Sequence, residues 1–305
     1  MGQRILNIDS QILTGFQSCN QQMKLGFIEH LRQNDKPQAL EKGSLMHGIM
    51  EAYYSVIGGL INSRSELFNE LNVAGVEFVG QSTDCAKVAQ FALEAGRYLA
   101  VKMALEPDTA QFILAHAADY FKYYLRDTFV PLAVETVGTK VIYEDKDIKF
   151  LYTYKIDLIV QKGNNIMAVD HKTATRRESP TDMENQFLGY VWGLGQGNSI
   201  MINRIGLQKT LSPGQRFERF LFTYTQGRID EWVENTVSTM FDILYAIDND
   251  HFPRNMTSCF KYSSGCQFLA ICSSDPQLRD YKRERLYHIS TKWDPAEALK
   301  GKGNV

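Results

Sequence analysis

An α/β or α+β core held between helical flanks is the fold class this sequence predicts, and three observations predict it. Segments of helical period dominate up to about residue 130. From Pro131, β-branched and aromatic runs replace them in the order β-β-β-α-β-β. A long amphipathic stretch then follows from about Arg228 to Asp248. In the first region "SLMHGIMEAYYSVIG" places Leu45, Met46, Ile49, Met50, Tyr53 and Ile57 at helical spacing, with Ser44 as the expected N-cap and His47 on the same helix. Residues 84 to 126 read as two further helices, Pro107 suiting the start of the second. The strands are "LAVETVGTKVIYE", "IKFLYTYKIDLIVQ" and "NIMAVDHKTA", the last two joined as a hairpin by the turn signal "KGNN". In "SPTDMENQFLGYVWGLGQ", Ser179 reads as a cap and Pro180 as the first helical residue, and the helix sets Gln186 and Tyr190 four apart on one face. "SIMINRIGLQK" and "RFERFLFTYT" supply the remaining strands.

The chain has 305 residues, 44% hydrophobic and 22% charged, an ordinary globular composition. A net charge of -2 neither requires nor excludes nucleic acid, because a basic groove can sit within a neutral total. No apolar run approaches the ~18 residues that span a bilayer, and "MGQRILNIDSQ" lacks the apolar block of a secretory leader. A cytoplasmic protein without a membrane partner is therefore expected. Leu6 stands where a myristoylation motif needs Ser or Thr, and no phosphate-binding G-x-x-x-x-G-K-[ST] loop equips the chain to hydrolyse ATP.

Within "VDHKT", strand alternation points Asp170 and Lys172 to one side and His171 to the other. Asp157 ends "YKID" on the partner strand, where antiparallel pairing would bring it beside Asp170. Two such carboxylates can hold a hard divalent cation together with water and substrate oxygens. Lys172 could then steady developing negative charge, and His47 could add an imidazole nitrogen. Each residue alone is ordinary: an Asp and a Lys two apart on a strand most often form a solvated pair, and a lone helix histidine is most often structural. Metal-assisted phosphodiester hydrolysis is the chemistry that the combination favours.

Five cysteines are an odd count for a disulfide framework. Cys19 and Cys85 are isolated, whereas Cys259, Cys266 and Cys272 fall within fourteen residues. Three clustered thiolates and a distant fourth can hold Zn²⁺ or an iron-sulfur cluster, and spacing leaves both open. Cys85 reads as a buried small hydrophobe. Arg176 and Arg177 follow the lysine-bearing strand and suit contacts to DNA phosphates. Lys122 and Arg126 beside Tyr123 and Tyr124 fit a DNA groove or a solvated face equally, and the basic tail at Lys282, Arg283 and Arg285 reads as solvated.

Taken in order, "GSLMHGIMEAYY", "YKIDLIV", "MAVDHKT" and "QFLGY" resemble the RecB-like branch of the PD-(D/E)xK nuclease superfamily over roughly residues 43 to 195. The resemblance implies a restriction-endonuclease-like central mixed sheet flanked by helices. Residues 1–130 would form a mainly helical N-terminal region carrying Cys19 and His47, 131–225 the nuclease core, and 226–305 a C-terminal helix, cysteine loop and tail of one continuous nuclease domain. It implies Mg²⁺ or Mn²⁺ held by His47, Asp157, Asp170 and the backbone carbonyl of His171. Lys172 would be the catalytic lysine, and Gln186 and Tyr190 would contact DNA or brace the site. Tyr154 stands where relatives often carry glycine, and Glu135 on the preceding strand is left outside the site.

Similar nucleases, including CRISPR-associated exonucleases, the AddB subunit and eukaryotic exonuclease V, bind a [4Fe-4S] cluster through one early and three late cysteines. The resemblance thus implies a cluster on Cys19, Cys259, Cys266 and Cys272. The six-residue gap after Cys259 is longer than in many relatives, which loop-closure entropy tolerates. The implied activity is exonucleolytic hydrolysis of single-stranded DNA or duplex ends. The alternatives are a nuclease subunit active only with a helicase or CRISPR integration partner, a non-catalytic DNA-end-binding protein, and a zinc-stabilised binding module. A homo-oligomer and a lone chain both remain open.

Overall fold

The computed structural model describes residues 3–34, 38–77, 80, 82–176, 179–208, 210–261 and 264–290. Its helices are α1 (Ser10–Ser18), α2 (Asn20–Met23), α3 (Gln38–Ile57), α4 (Ser65–Val73), α5 (Cys85–Lys102), α6 (Pro107–Tyr123), α7 (Asn185–Leu194), α8 (Pro213–Arg216), α9 (Gln226–Asp248), α10 (Leu269–Cys272) and α11 (Arg279–Leu286). Its strands are β1 (Arg4–Ile8), β2 (Leu31–Gln33), β3 (Val130–Glu144), β4 (Ile148–Lys162), β5 (Asn165–Ala174), β6 (Ser199–Gly206), β7 (Phe217–Thr223), β8 (Phe260–Lys261), β9 (Ser264–Gly265) and β10 (Tyr287–Ile289). The fold is the expected mixed α/β type, a central mixed sheet flanked by helices. The chain divides into two compact units, one of residues 37–136 and 155–225, the other of residues 1–36, 137–154 and 226–305.

In the first of these units the end of β4 and the start of β5 form the predicted antiparallel hairpin, registered from Leu158↔Val169 to Lys162↔Asn165. β5 then pairs parallel with β6, which pairs antiparallel with β7. A parallel neighbour needs a crossover, and α7 supplies it. Leu158, Val160, Met167 and Val169 alternate onto one sheet face and are buried with Leu45, Ile49, Phe91 and Ile113 from α3, α5 and α6. Each such side chain contributes roughly 1.5–3 kcal/mol by leaving water. The helices close up because Gly96 lacks a side chain: a Cβ there would lie 2.7 Å from Ile49.

In the other unit β1 pairs parallel with the start of β4, from Arg4↔Ile148 to Ile8↔Tyr152. Asp9 caps α1 by accepting from the N–H groups of Gln11 and Ile12, both at 2.9 Å. α9 packs Trp232 edge-on against Tyr152 and Phe241 against Phe150. Tyr154 fits because Gly138 leaves room: a Cβ at 138 would meet the tyrosine ring. A smaller core joins Leu25, Leu31, Phe268, Ile271 and Tyr287, with Cys266 and Cys272 packed against it.

Three local expectations are corrected and one strand is added. Ser44 does not cap a helix, since α3 begins at Gln38 and the Ser44 hydroxyl turns back onto the Leu40 carbonyl at 3.0 Å, a bond serine can make inside a helix. α7 starts at Asn185 rather than near Ser179, because Thr181 accepts from the Met183 N–H and holds a turn ahead of it. β1 escapes sequence reading, being five residues long and recognisable only through its pairing. Cys85 is partly exposed rather than buried, standing at the first position of α5 directly after its Asp84 cap. Among the described residues no helix is long and apolar enough to cross a membrane.

Candidate active site

One step beyond Leu158↔Val169, the hairpin register sets Asp157 opposite Asp170. Asp157 Oδ2 accepts the His171 backbone N–H at 2.8 Å and lies 3.5 Å from His47 Nδ1, which α3 delivers. Glu135 arrives from β3, so that ligand atoms of His47, Glu135 and Asp157 all lie within 4.8 Å of one another. Sequence reading left Glu135 out, although an acid within the apolar strand "LAVETV" was a signal. Its backbone is left-handed (φ 47°) in mid-strand, and Val134 and Glu135 are both buried, so alternation breaks there. Such a conformation costs about 1–3 kcal/mol and persists where surrounding contacts over-determine it; here Lys155 pairs with the Glu135 carboxylate.

Asp170 is 1% exposed. Its Oδ1 and Oδ2 lie 3.3 and 3.1 Å from Lys172 Nζ, and Oδ2 accepts no hydrogen bond. Lys172 Nζ donates to Gln186 Oε1 at 2.7 Å, and Gln186 Nε2 donates to the Tyr190 hydroxyl at 2.7 Å. Period two on β5 and the four-residue repeat of α7 thus place Asp170, Lys172, Gln186 and Tyr190 in one bonded line. Glu184, at the N-terminal boundary of α7, stands in the field of Lys172 and Asp170, and burial pushes its carboxyl up. The His171 ring points away from Asp170 and Lys172, as alternation requires. Arg176 is exposed just past β5, and Arg177 lies outside the described residues.

Burial, with the neighbouring Asp170 and Glu135 carboxylates adding to it, pushes Asp157 well above the usual carboxylate range; the His171 N–H and Lys172 act the other way. Burial lowers His47, leaving a neutral imidazole suited to ligation. Three carboxylates and one imidazole offer hard oxygen and nitrogen donors, and a divalent cation would relieve their mutual repulsion. A pH dependence follows. Unfolded Asp157 titrates near 3.8, whereas the folded group keeps its proton to higher pH. The folded state therefore binds more protons above 3.8, and stability is lost as pH rises through the folded pKa. The Tm of the metal-free protein is expected to fall across that interval and to fall less in Asp157→Asn. An identical slope in the variant, by differential scanning calorimetry, would remove Asp157 as its source.

In the other unit all four implicated cysteines are free and line one small cavity with Arg254, Asn255 and Phe268. Cys19 ends α1, and its sulfur lies 3.3 Å from the Asn255 N–H. The Cys266 N–H donates to the Cys259 carbonyl at 2.7 Å, and Arg254 donates to the Cys272 carbonyl at 2.9 Å. Burial pushes the Cys272 thiol up, Arg254 opposes this, and Cys266, Cys19 and Cys259 add to the rise, so the four sulfurs share one field. The distant Cys19 and the late trio do meet.

No curated protein matches the chain in sequence. Among solved structures, that of SSO0001 is similar at 12% identity and a TM-score of 0.29, over 58% of this chain and 86% of that one. A candidate exonuclease from Eubacterium rectale is similar at 14% identity and a TM-score of 0.40, over 81% and 84% respectively. The model of the PD-(D/E)XK nuclease superfamily matches residues 11–273. That span holds the carboxylate centre, its lysine and every cysteine of the cavity, and the chain belongs to the PD-(D/E)XK nuclease superfamily.

Proposed function

We propose that the protein is a metal-dependent deoxyribonuclease that degrades single-stranded DNA or duplex ends as an exonuclease. The observation that carries this reading is the convergence of Asp157, Glu135 and His47 on one spot, with Asp170 opposite Asp157 and paired to Lys172. His47, Asp157, Asp170, Glu135 and the His171 carbonyl would hold Mg²⁺ or Mn²⁺, which when bound supplies Lewis acidity and a more acidic water. Lys172, kept in place by Gln186, would place its ammonium against negative charge developing on the phosphate. Tyr190 restricts Gln186 in turn, and Arg176 and Arg177 would meet the phosphates of the strand beyond the site.

The four-cysteine cavity is read as the seat of a [4Fe-4S] cluster. The convergence of Cys19 with Cys259, Cys266 and Cys272 on one cavity supports that reading, and metal analysis separates it from a zinc centre.

The test is digestion of end-labelled single-stranded and duplex DNA with Mn²⁺ by anaerobically purified protein, with circular single-stranded DNA alongside. Release of label with survival of the circle is expected. Cleavage of the circle would replace the exonuclease reading with an endonuclease. No cleavage by a folded, cluster-loaded protein would favour a partner-dependent subunit or a DNA-end binder.

A further inference from the structure

His171 lies between Asp170 and Lys172 in sequence, yet its ring belongs to the opposite face of the sheet, where it is 3% exposed. Register places it beside Asn203 on β6, and Asn203 beside Arg219 on β7, so three polar residues run in a row across three strands. Asn203 Nδ2 lies 2.8 Å from His171 Nδ1 and 2.9 Å from the Tyr120 hydroxyl, and Asn203 Oδ1 accepts from Arg219 Nε at 3.4 Å. Arg219 continues to Asp127 at 2.6 Å, and Tyr54 donates to the other oxygen of Asp127 at 2.9 Å. The Tyr54 ring then lies flat on the His171 imidazole, 5.6 Å between centroids and 9° from parallel. The contacts form a closed circuit that returns to its starting residue.

A core residue of β5 needs only apolar bulk to fill its place, and Val169 on the same face has nothing more. At His171 both the edge and the face of the ring are held, by groups each held by another member of the circuit. Buried polar networks whose members are satisfied fix a single arrangement. The backbone so fixed is the peptide whose N–H bonds Asp157 and whose neighbours are Asp170 and Lys172. We infer that Asn203 and Arg219 are positioning residues, which set the His171 peptide and thereby the spacing of Asp157 and Asp170 for a divalent cation. This rests on the metal-dependent nuclease reading.

The inference is tested on the full chain by titrating Mn²⁺ alone, without DNA, by isothermal calorimetry. Asn203→Leu keeps volume and removes the bonds to His171 and Tyr120. Arg219 also donates to the Tyr120 hydroxyl at 2.8 Å; Arg219→Lys keeps the charge facing Asp127 but lacks the planar fork that reaches Asp127, Tyr120 and Asn203 from one side chain. Val88→Ala, in the core on α5, is the control for a general loss of stability. Melting is followed for all. In variants that melt cooperatively, Mn²⁺ affinity is expected to weaken by about tenfold or more, as for groups that orient metal ligands, with the control unchanged. If Asn203→Leu does not fold, Arg219→Lys decides. Affinities within about twofold of the parent would overturn the inference while leaving the nuclease reading intact, being far below the effect of such groups. A parent that binds no Mn²⁺ would overturn both.

Discussion

Lys172→Ala is expected to lower the rate of DNA hydrolysis on the order of 10³-fold, about 4 kcal/mol of transition-state stabilisation. The ammonium lies 3.1 Å from Asp170 and 2.7 Å from Gln186, so it is already aimed when substrate arrives and need not be ordered during the reaction. It is also 39% exposed, which lets it reach a bound phosphate. That exposure screens its pairing with Asp170, so the stability lost with the side chain should be modest. Single-turnover digestion of end-labelled DNA at saturating Mn²⁺, with circular dichroism to verify the fold, checks the prediction. Lys172→Arg should recover little, because a planar guanidinium does not occupy the place of a compact ammonium. Retention of more than about a tenth of the parent rate, only ~1.4 kcal/mol, by Lys172→Ala would remove the lysine from the chemistry.

Cys266→Ala is expected to abolish the visible absorbance of the proposed cluster and to lower Tm on the order of 10 °C. The cluster would tie Cys19 to a segment more than two hundred residues later within the same unit. A cross-link closing a loop of 100 residues or more restricts the unfolded chain by roughly 4–5 kcal/mol in the entropic treatment. At about 2–4 °C per kcal/mol for a chain of this size, a shift of that order follows. Cys85→Ala is the control, since its sulfur faces the Thr83 carbonyl rather than the cavity. Iron and sulfide assays on anaerobically purified protein, with a thermal melt of each variant, measure both effects. Stoichiometric zinc with no iron in the parent would turn the site into a structural zinc centre.

Much of the candidate site could be read without coordinates because its geometry is local. Period two along β5 puts Asp170 and Lys172 on one side, a two-residue turn at Gly163 and Asn164 fixes the hairpin that brings Asp157 opposite Asp170, and the helical repeat aligns Gln186 with Tyr190. Glu135 was not legible in this way, because a left-handed residue within β3 turns its carboxylate toward Asp157 and no strand periodicity announces such a break. Helix starts were misplaced where serine had two bonding options, as at Ser44, and only the surrounding chain chose between them.

By itself the sequence determined the types of α3, α5 to α7, α9 and β3 to β7 and the order of Asp157, Asp170, Lys172 and the cysteines, since these depend on periodicity and on residues close in the chain. The tertiary structure alone decided what depends on pairing between distant strands. The in-register row of His171, Asn203 and Arg219 exists because β5, β6 and β7 are neighbours in the sheet. The meeting of Cys19 with Cys272 exists because the two chain ends share one unit. Such contacts gain their energy only once hydrophobic burial has closed long loops, a cost and a reward that no local window of residues records.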